Sequence, residues 1–460
     1  MRRFLLLAIL AVAAVISGAL AQPEAGDSLP NIVREGRRVW GGDAARLEQR
    51  LAAEPGDLEA RARLLGYYGS VAVRDISRRR VIEARRRHIL WIIDNQPASM
   101  LASLRDATIS PTGPFADKPG YEQARALWLR QVEAHPSDAK VLANAAMFLQ
   151  LHDKPLAESV LDKARAAHPG DASWDALRGY LYALAILGVD GLNPNGIPVS
   201  VNAAEQDGAF ARKALRQAQE SRSAVLAGTT GAILAQYGMM IRAMGLTQRS
   251  FDVIAEKLLV RAQSLDPASP DWSGALGQLY ELKVHAAASP QERARWSGKA
   301  VEQMEKGLAH TTDPKWRKGS LSALSKAAFN AGAFDKAEKH AKELLALAEA
   351  HAGDPNYGDA VHDGNVVLGR LALRRNDVRK AKEHLARAAE GATEASGTLS
   401  SFGPNVSLAN DLLERGEKDA VIAYFEACKK FWTYPRNPLD RWIAEVRAGK
   451  KPNFGGNLNY

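Results

Sequence analysis

One cysteine, Cys428, is all the thiol chemistry that 460 residues contain. A lone cysteine forms no internal disulfide, and it excludes a thiolate metal site within one chain. Stability must then come from packing. Cys428 falls beside Tyr424 and Phe425 on an apolar helical face, the setting of a small buried residue rather than of a reactive thiol. Catalytic signatures are missing as well. The chain has no His-Glu-x-x-His, no phosphate-binding P-loop and no Gly-x-Ser-x-Gly elbow. Its ten histidines are scattered, and His310, His340, His351 and His362 are not spaced as ligands on one helix face. No catalytic residue, metal site or cofactor site is therefore expected, and the chain reads as a protein that is not an enzyme.

What is present first is an address. Arg2 and Arg3 precede an apolar run from Phe4 to Ile16, and Ala19-Leu20-Ala21 follows. A basic start, a hydrophobic stretch and a small-x-small site make a signal peptide over residues 1–21, cleaved after Ala21. The apolar run is short for a bilayer crossing, and no cysteine follows to carry a lipid. The alternative is an uncleaved anchor. Export to the periplasm or outside the cell is expected, with no transmembrane helix in the mature chain. Hydrophobic residues make up 46% and charged residues 25%, which suits a folded soluble protein. The net charge of +9 falls to +7 once Arg2 and Arg3 are removed, a mild bias. Heavy alanine and arginine use suits a GC-rich bacterial source.

A spaced signature recurs along nearly the whole chain. Ala157, Leu161, Ala164 and Pro169 show it: small, bulky four later, small three later, proline five later. Ala124, Trp128, Gln131 and Pro136 repeat it, as do Ala255, Leu259, Ala262 and Pro267. Spacings of three and four set the first three residues on one helical face, and the proline ends that helix. The leading alanines, from Ala44 to Ala420, stand 33 to 54 residues apart. Partner helices carry a small residue beside an aromatic: Gly66 with Tyr68, Ala145 with Phe148, Gly179 with Tyr182, Gly277 with Tyr280. The small residue lets two antiparallel helices approach, and the aromatic fills the gap beside it.

This pattern resembles the tetratricopeptide repeat (TPR) family. The match is clearest from Asp138 to Pro169, where Ala145, Phe148, Ala157, Leu161, Ala164 and Pro169 stand at family spacing. It extends over residues 43–432 as about nine helix pairs, several longer than the usual repeat. The resemblance implies an all-α fold: a right-handed superhelical solenoid of antiparallel helix pairs. The segmentation reads as a signal peptide (1–21), an N-terminal linker (22–42), N-terminal helical repeats (43–110) and a Pro/Gly-rich linker (111–120). A TPR-like array (121–432) follows, interrupted by a loop at 188–208, and then a C-terminal cap and tail (433–460). Asp190, Gly191, Asn193, Pro194, Asn195, Gly196 and Pro198 in the loop break helix and strand alike. Its acids lack the spacing of an EF-hand. The stretch from Val225 to Ile241 is small and apolar but interrupted by Thr229, Thr230 and Gln236, as in a buried helix of the array.

In the resembled family the first helix of each pair lines the concave face. Matching positions here are Lys326, Asn330, Arg370, Arg374 and Asn405. Arg370 and Arg374 are four apart and share a face. The groove so drawn is basic and takes an acidic segment or a C-terminal carboxylate. Solvated charges are the rival reading. A second tract, with Arg74, Arg78 and Arg85 nearly on one stripe, draws a basic face for anionic lipid or acidic polysaccharide, against a solvated helix. Nucleic acid is disfavoured by export and by the lack of interleaved aromatics. The functional expectation is an exported, non-catalytic scaffold that holds a protein or peptide segment in its groove, within a periplasmic or cell-envelope assembly. The alternatives are a carbohydrate, cell-wall or anionic-surface binder, and a hydrolase with an unrecognised site.

Overall fold

The computed structural model describes residues 29–70, 77–113, 115–193, 195–353, 357–390, 397–433 and 437–458. The signal segment 1–21, Arg74 and Tyr460 lie outside the described residues. The described chain is all-α but for one small hairpin, and it divides into two compact units that meet in sequence at Leu265 and Asp266.

The first unit begins with α1 (Leu29–Gly36), α2 (Gly41–Ala53), α3 (Leu58–Gly69), α4 (Arg78–Asn95) and the short α5 (Met100–Ser103). It continues with α6 (Lys118–Ala134), α7 (Ala139–Leu149), α8 (Lys154–Ala167), α9 (Ser173–Leu187), the short α10 (Ala203–Gln206), α11 (Ala209–Glu220), α12 (Ala224–Ala243) and α13 (Asp252–Leu265). The second unit holds α14 (Pro270–Ala286), α15 (Pro290–Ala309), α16 (Pro314–Asn330), α17 (Phe334–Ala350), α18 (Tyr357–Arg374) and α19 (Val378–Glu390). It ends with α20 (Gly397–Phe402), α21 (Ser407–Leu413), α22 (Lys418–Cys428) and α23 (Leu439–Arg447). Within each unit consecutive helices pack as antiparallel pairs, and each pair packs on the next.

Local chemistry sets these boundaries. Asp138 caps α7 by accepting from the backbone N–H groups of Lys140 and Val141. Ser289 caps α15 through Glu292, with Pro290 at the first helical position. The Glu292 carboxylate reaches back to the Ala288 N–H at 3.0 Å. Pro169 sits two residues past the end of α8, in the turn toward α9.

The recurring alanines are the closest contacts between helices. Ala124, Ala145, Ala157 and Ala164 have no exposed surface, and Leu161 and Phe148 are buried beside them. Phe148 stacks on Tyr121 with ring centroids 5.4 Å apart and meets Trp128 at 6.4 Å. Gly277 faces Met304 of α15, where a Cβ would come within 2.8 Å of the methionine Cγ.

Two regions depart from the sequence reading. The 22–42 segment, expected as a linker, holds α1. That helix crosses α3 so closely that a Cβ on Gly66 would lie 1.9 Å from the Val33 carbonyl oxygen, and one on Gly36 2.2 Å from that of Arg63. Gly66 thus serves a crossing with α1, which its spacing alone did not reveal. The 188–208 loop, expected to break strands, forms an antiparallel hairpin, β1 (Val189–Leu192) and β2 (Pro198–Val201), with Val189 opposite Val201. Asn193 closes its turn: the side-chain oxygen accepts from the N–H groups of Asn195 and Ile197, and Gly196 takes φ 78°. The turn-forming residues tighten the connection where they were expected to leave it irregular. α12 is long and apolar enough to cross a membrane, but 78% of its most apolar stretch is buried within the protein.

At the C-terminal end α23 packs on α22. Trp442 and Phe454 meet at 5.1 Å, Phe425 and Trp442 at 5.6 Å, closing one core with Trp432 and Cys428. Burial raises the Cys428 thiol pKa far above its ordinary value, so it stays protonated.

Replacing Ala157 by Leu forces a larger side chain into a contact with no free surface. The expected loss is about 1–3 kcal/mol, read by urea unfolding; an unchanged midpoint would remove Ala157 from the seam.

Candidate binding surface

In the first unit the arginine tract is divided: Arg78, Arg79, Arg80 and Arg87 are exposed, while Arg85 and Arg86 turn inward. Arg78 opens α4 and is exposed. Arg85, expected beside it on a basic face, instead donates to the backbone carbonyls of Asp106 and Thr108 at 3.2 and 3.1 Å, and stands over Phe115. Burial lowers its pKa, and the Asp106 charge opposes that. The correction has a simple cause: α4 presents Arg85 to the segment that follows it, whose carbonyls need donors. Arg86 pairs with Asp117, its Nε 2.7 Å from the carboxylate, and Arg87 pairs with Glu48 at 2.7 Å. Of the stripe drawn from Arg74, Arg78 and Arg85, Arg74 lies outside the described residues, Arg78 is exposed and Arg85 turns to backbone carbonyls.

Glu48 gathers this region. It accepts from the Tyr68 hydroxyl at 2.8 Å and lies 3.1 Å from His88 Nε2. Burial raises its pKa, but the hydrogen bonds from His88 and Tyr68 and the His88 and Arg87 charges outweigh that and hold it at about 2. Further along, a donor chain runs from Arg105 to the Tyr180 hydroxyl at 3.1 Å, with Tyr237 3.5 Å beyond. Tyr237 then donates to the Gly196 carbonyl at 2.8 Å, pinning the hairpin tip to α12.

In the second unit the first helices of successive pairs are α14, α16, α18 and α21. The last three carry a polar row. Lys326 of α16 pairs with Asp363 of α18 at 2.9 Å. Asp363 also accepts from Ser322 and lies 3.3 Å from His362 Nδ1. Burial raises the Asp363 pKa, but Lys326, His362 and Ser322 overcome this and hold it well below the carboxylate range. His362 is buried and its Nε2 meets the Tyr424 hydroxyl at 3.0 Å. Arg370 pairs with Asp411 of α21 at 2.8 Å, and its guanidinium lies 4.2 Å over Phe329. Arg374 stands 3.8 Å over Phe334 and pairs with no carboxylate among the described residues. Cation–aromatic stacking holds both guanidinium planes in place. Glu281 of α14 is half-buried, and burial pushes its carboxyl up to about 7, against the pull of the Lys326 charge.

Of the five groove residues drawn from sequence, the structure brings Lys326, Arg370 and Arg374 into one region with Phe329 and Phe334. Asn330 is exposed at the end of α16. Asn405 is placed otherwise: it is buried, and its side-chain oxygen accepts from the Ser407 N–H at 2.9 Å, closing the turn into α21. A short Asn-x-Ser entry to a helix favours that local bond over a surface role. The expectation of a basic groove also changes, because Lys326 and Arg370 each have an acid. Sequence reasoning missed Glu281, Asp363 and Asp411. The two paired acids stand 37 and 41 residues from their cations, one repeat on, a spacing that marks them once the repeat is known. Among the described residues no group of three His, Cys, Asp or Glu side chains is placed to hold a metal ion.

No family model matches the chain, and no curated protein matches it significantly. Among solved structures, the human IFIT1 dimer with m7Gppp-AAAA is similar at 13% identity, covering 96% of this chain and 92% of its own, with a TM-score of 0.33. The human IFIT1 dimer with PPP-AAAA gives 16% identity, 95% and 92% coverage and a TM-score of 0.34. The P58(IPK) TPR domain gives 14% identity, covers 71% of this chain and 93% of its own, and has a TM-score of 0.19.

Glu48 supplies a pH test. Its folded-state pKa is depressed, so its stabilisation is complete above the unfolded value near 4.5 and is lost as pH falls from 4.5 toward about 2. Unfolding free energy should fall more steeply over that window in the wild type than in Glu48→Gln. Parallel profiles would show that Glu48 is not held as described.

Proposed function

We propose that this chain is an exported, non-catalytic scaffold that holds a segment of a partner protein along the first helices of its second unit, within a periplasmic or cell-envelope assembly. The observation that carries the reading is the contrast on those helices between mutually paired charges and polar groups left for a partner. Lys326 and Arg370 are neutralised within the chain, whereas Arg374 stands 3.8 Å over Phe334 with no carboxylate partner among the described residues. A stacked guanidinium with free edges suits a carboxylate on a bound segment. Export is supported by Arg2, Arg3, the apolar run from Phe4 to Ile16 and Ala19-Leu20-Ala21.

The non-catalytic reading is supported by how the polar groups are wired. Ser322, Asp363 and His362 are neighbours, but Asp363 stands between the serine and the histidine. Nucleophile activation needs the histidine between the other two. The anionic-surface alternative loses its main support with Arg85 turned inward.

Charge reversal at Arg374 alone is the clean test, since reversal at Arg370 would also confront Asp411 with a like charge. The mature chain, immobilised and exposed to a cell-envelope extract, should retain a protein reproducibly. Arg374→Glu should retain at least about five-fold less, a loss of roughly 1 kcal/mol, at unchanged helicity. Recovery of no reproducible protein, or of RNA in its place, would overturn the scaffold reading.

A further inference from the structure

We propose that the C-terminal end of the second unit holds a binding site for a small organic acid, a carboxylate carried on a compact apolar body. The site is separate from the polar row and does not depend on the scaffold reading.

A cleft of about 580 Å³ lies between the first turn of α23 and the returning tail at residues 453–457, within the size range of small-molecule sites. Trp442 and Phe454 form its apolar side, edge to face at 5.1 Å. The walls are fixed by the chain itself. Asn457 donates to the carbonyls of Phe402 and Pro404 at 3.2 and 3.0 Å, and its backbone carbonyl accepts from the Val406 N–H at 2.8 Å. Asn437 donates to the Trp432 carbonyl at 3.0 Å and accepts from the Leu439 N–H at 3.1 Å. A cleft built this way loses little conformational freedom when a ligand arrives.

The side-chain groups left over are donors. Arg441 is the one charged residue that lines the cleft. Its Nε stands 4.0 Å from Glu445, beyond hydrogen-bond reach, and it makes no hydrogen bond with any described residue. Asn453 commits its side-chain oxygen to the Gly455 N–H at 3.0 Å, which leaves its NH2 group without an acceptor among the described residues. The Trp442 indole N–H is buried and has no described acceptor either. No carboxylate lines the cleft, and Asp440, next to Arg441 in the chain, pairs with Lys429 at 2.7 Å. Gly455 takes φ 53°, and a Cβ there would meet nothing within 4 Å.

Donors without a competing acid select a group that only accepts. A carboxylate matches the planar fork of a guanidinium, and the dipole of α23 acts in the same direction at its first turn. One guanidinium balances one negative charge, which suits a monocarboxylate over a phosphate. An arriving cation would meet Arg441. Trp442 and Phe454 are 1% and 3% exposed, so they offer edges to an apolar body and no ring face on which a sugar could stack.

Phenylacetate is the probe, with phenylacetamide and phenethylamine as neutral and cationic controls, on the full mature chain. The indole N–H resonance of Trp442, assigned with Trp442→Phe, reports on the cleft by NMR. It should shift saturably with phenylacetate and with neither control. Affinity from the same titration should fall at least about five-fold in Arg441→Gln. It should fall likewise in Asn453→Asp, which keeps an oxygen for the Gly455 N–H and removes the donors. Arg374→Glu, on the polar row, should bind phenylacetate as the wild type does. A Trp442 resonance that phenylacetate leaves in place, an equal response to phenylacetamide, or an affinity unchanged in Arg441→Gln would overturn the inference. Tighter binding of N-acetylglycylphenylalanine than of phenylacetate would overturn a free acid as the occupant and point to a peptide terminus. The comparison of acid with amide uses the wild type and decides the matter should a variant fail to fold. Capture of a protein along the first helices succeeds or fails separately, since Arg441 and Asn453 take no part in it.

Discussion

Two helices come only as near as the side chains between them allow, and in this protein that distance is set by alanine. Ala124, Ala157, Ala164, Ala255, Ala262, Ala300, Ala337, Ala341, Ala381 and Ala388 have no solvent-exposed surface. Each stands where a helix meets its partner or its neighbour. A methyl group at a crossing adds little side-chain entropy loss on folding and leaves no room for another rotamer. The bulky residue four later, Leu161 or Leu259, then fills the widening space above the crossing. Everything else in the chain is arranged around this seam. Because packing is local in such an array, residues off the seam are free to serve charge and recognition.

Charge follows the same period. Lys326 meets Asp363, Arg370 meets Asp411 and Lys382 meets Glu417, at separations of 37, 41 and 35 residues. Lys336 and Glu305 are 31 apart. Each pair joins one helix hairpin to the next. Surface pairs of this kind contribute about 0–1 kcal/mol each, too little to hold the fold. Their effect is on the surface field. The formal charge of +9 does not appear as a uniformly basic groove, because Lys326 and Arg370 are consumed one repeat away. Net charge describes the chain as a whole and says little about any one face.

The seam was legible because it depends on residue size at fixed spacing, and Ala145, Phe148, Ala157, Leu161 and Ala164 read the same in sequence and in space. The direction of a charged side chain was not. Arg85 sits at a spacing compatible with Arg78, yet its partners are two backbone carbonyls, which every residue possesses and no sequence marks. Asn405 failed for a related reason: its local bond to the Ser407 N–H competes with any role at a surface. α1 was missed because a helix of eight residues offers too little periodicity. Its contact with Gly66 depends on a close backbone approach, and a lone glycine is equally at home in a turn. The hairpin at 189–201 illustrates the reverse error. Asn193 and Gly196 read as breakers of structure, and they are the residues that let two strands pair. Lys326 and Arg370 were found by position, but their acids came into view only through the repeat period.

The unpaired Arg374 at one end of the polar row bears on how a scaffold tells one segment from another. Arg374 stands 3.8 Å over Phe334 and pairs with no carboxylate among the described residues. On the scaffold reading, a segment that carries both an acid and a base is set in register by placing its acid against Arg374. Sliding it so that its base approaches Arg374 brings like charges together with Phe334 excluding water on one side, where repulsion is least screened. Elsewhere on the row the paired charges contribute no preference, since each already has its partner. On the scaffold reading, the position of Arg374 is set by the stacking of helix pairs, and hence by the alanine contacts beneath them.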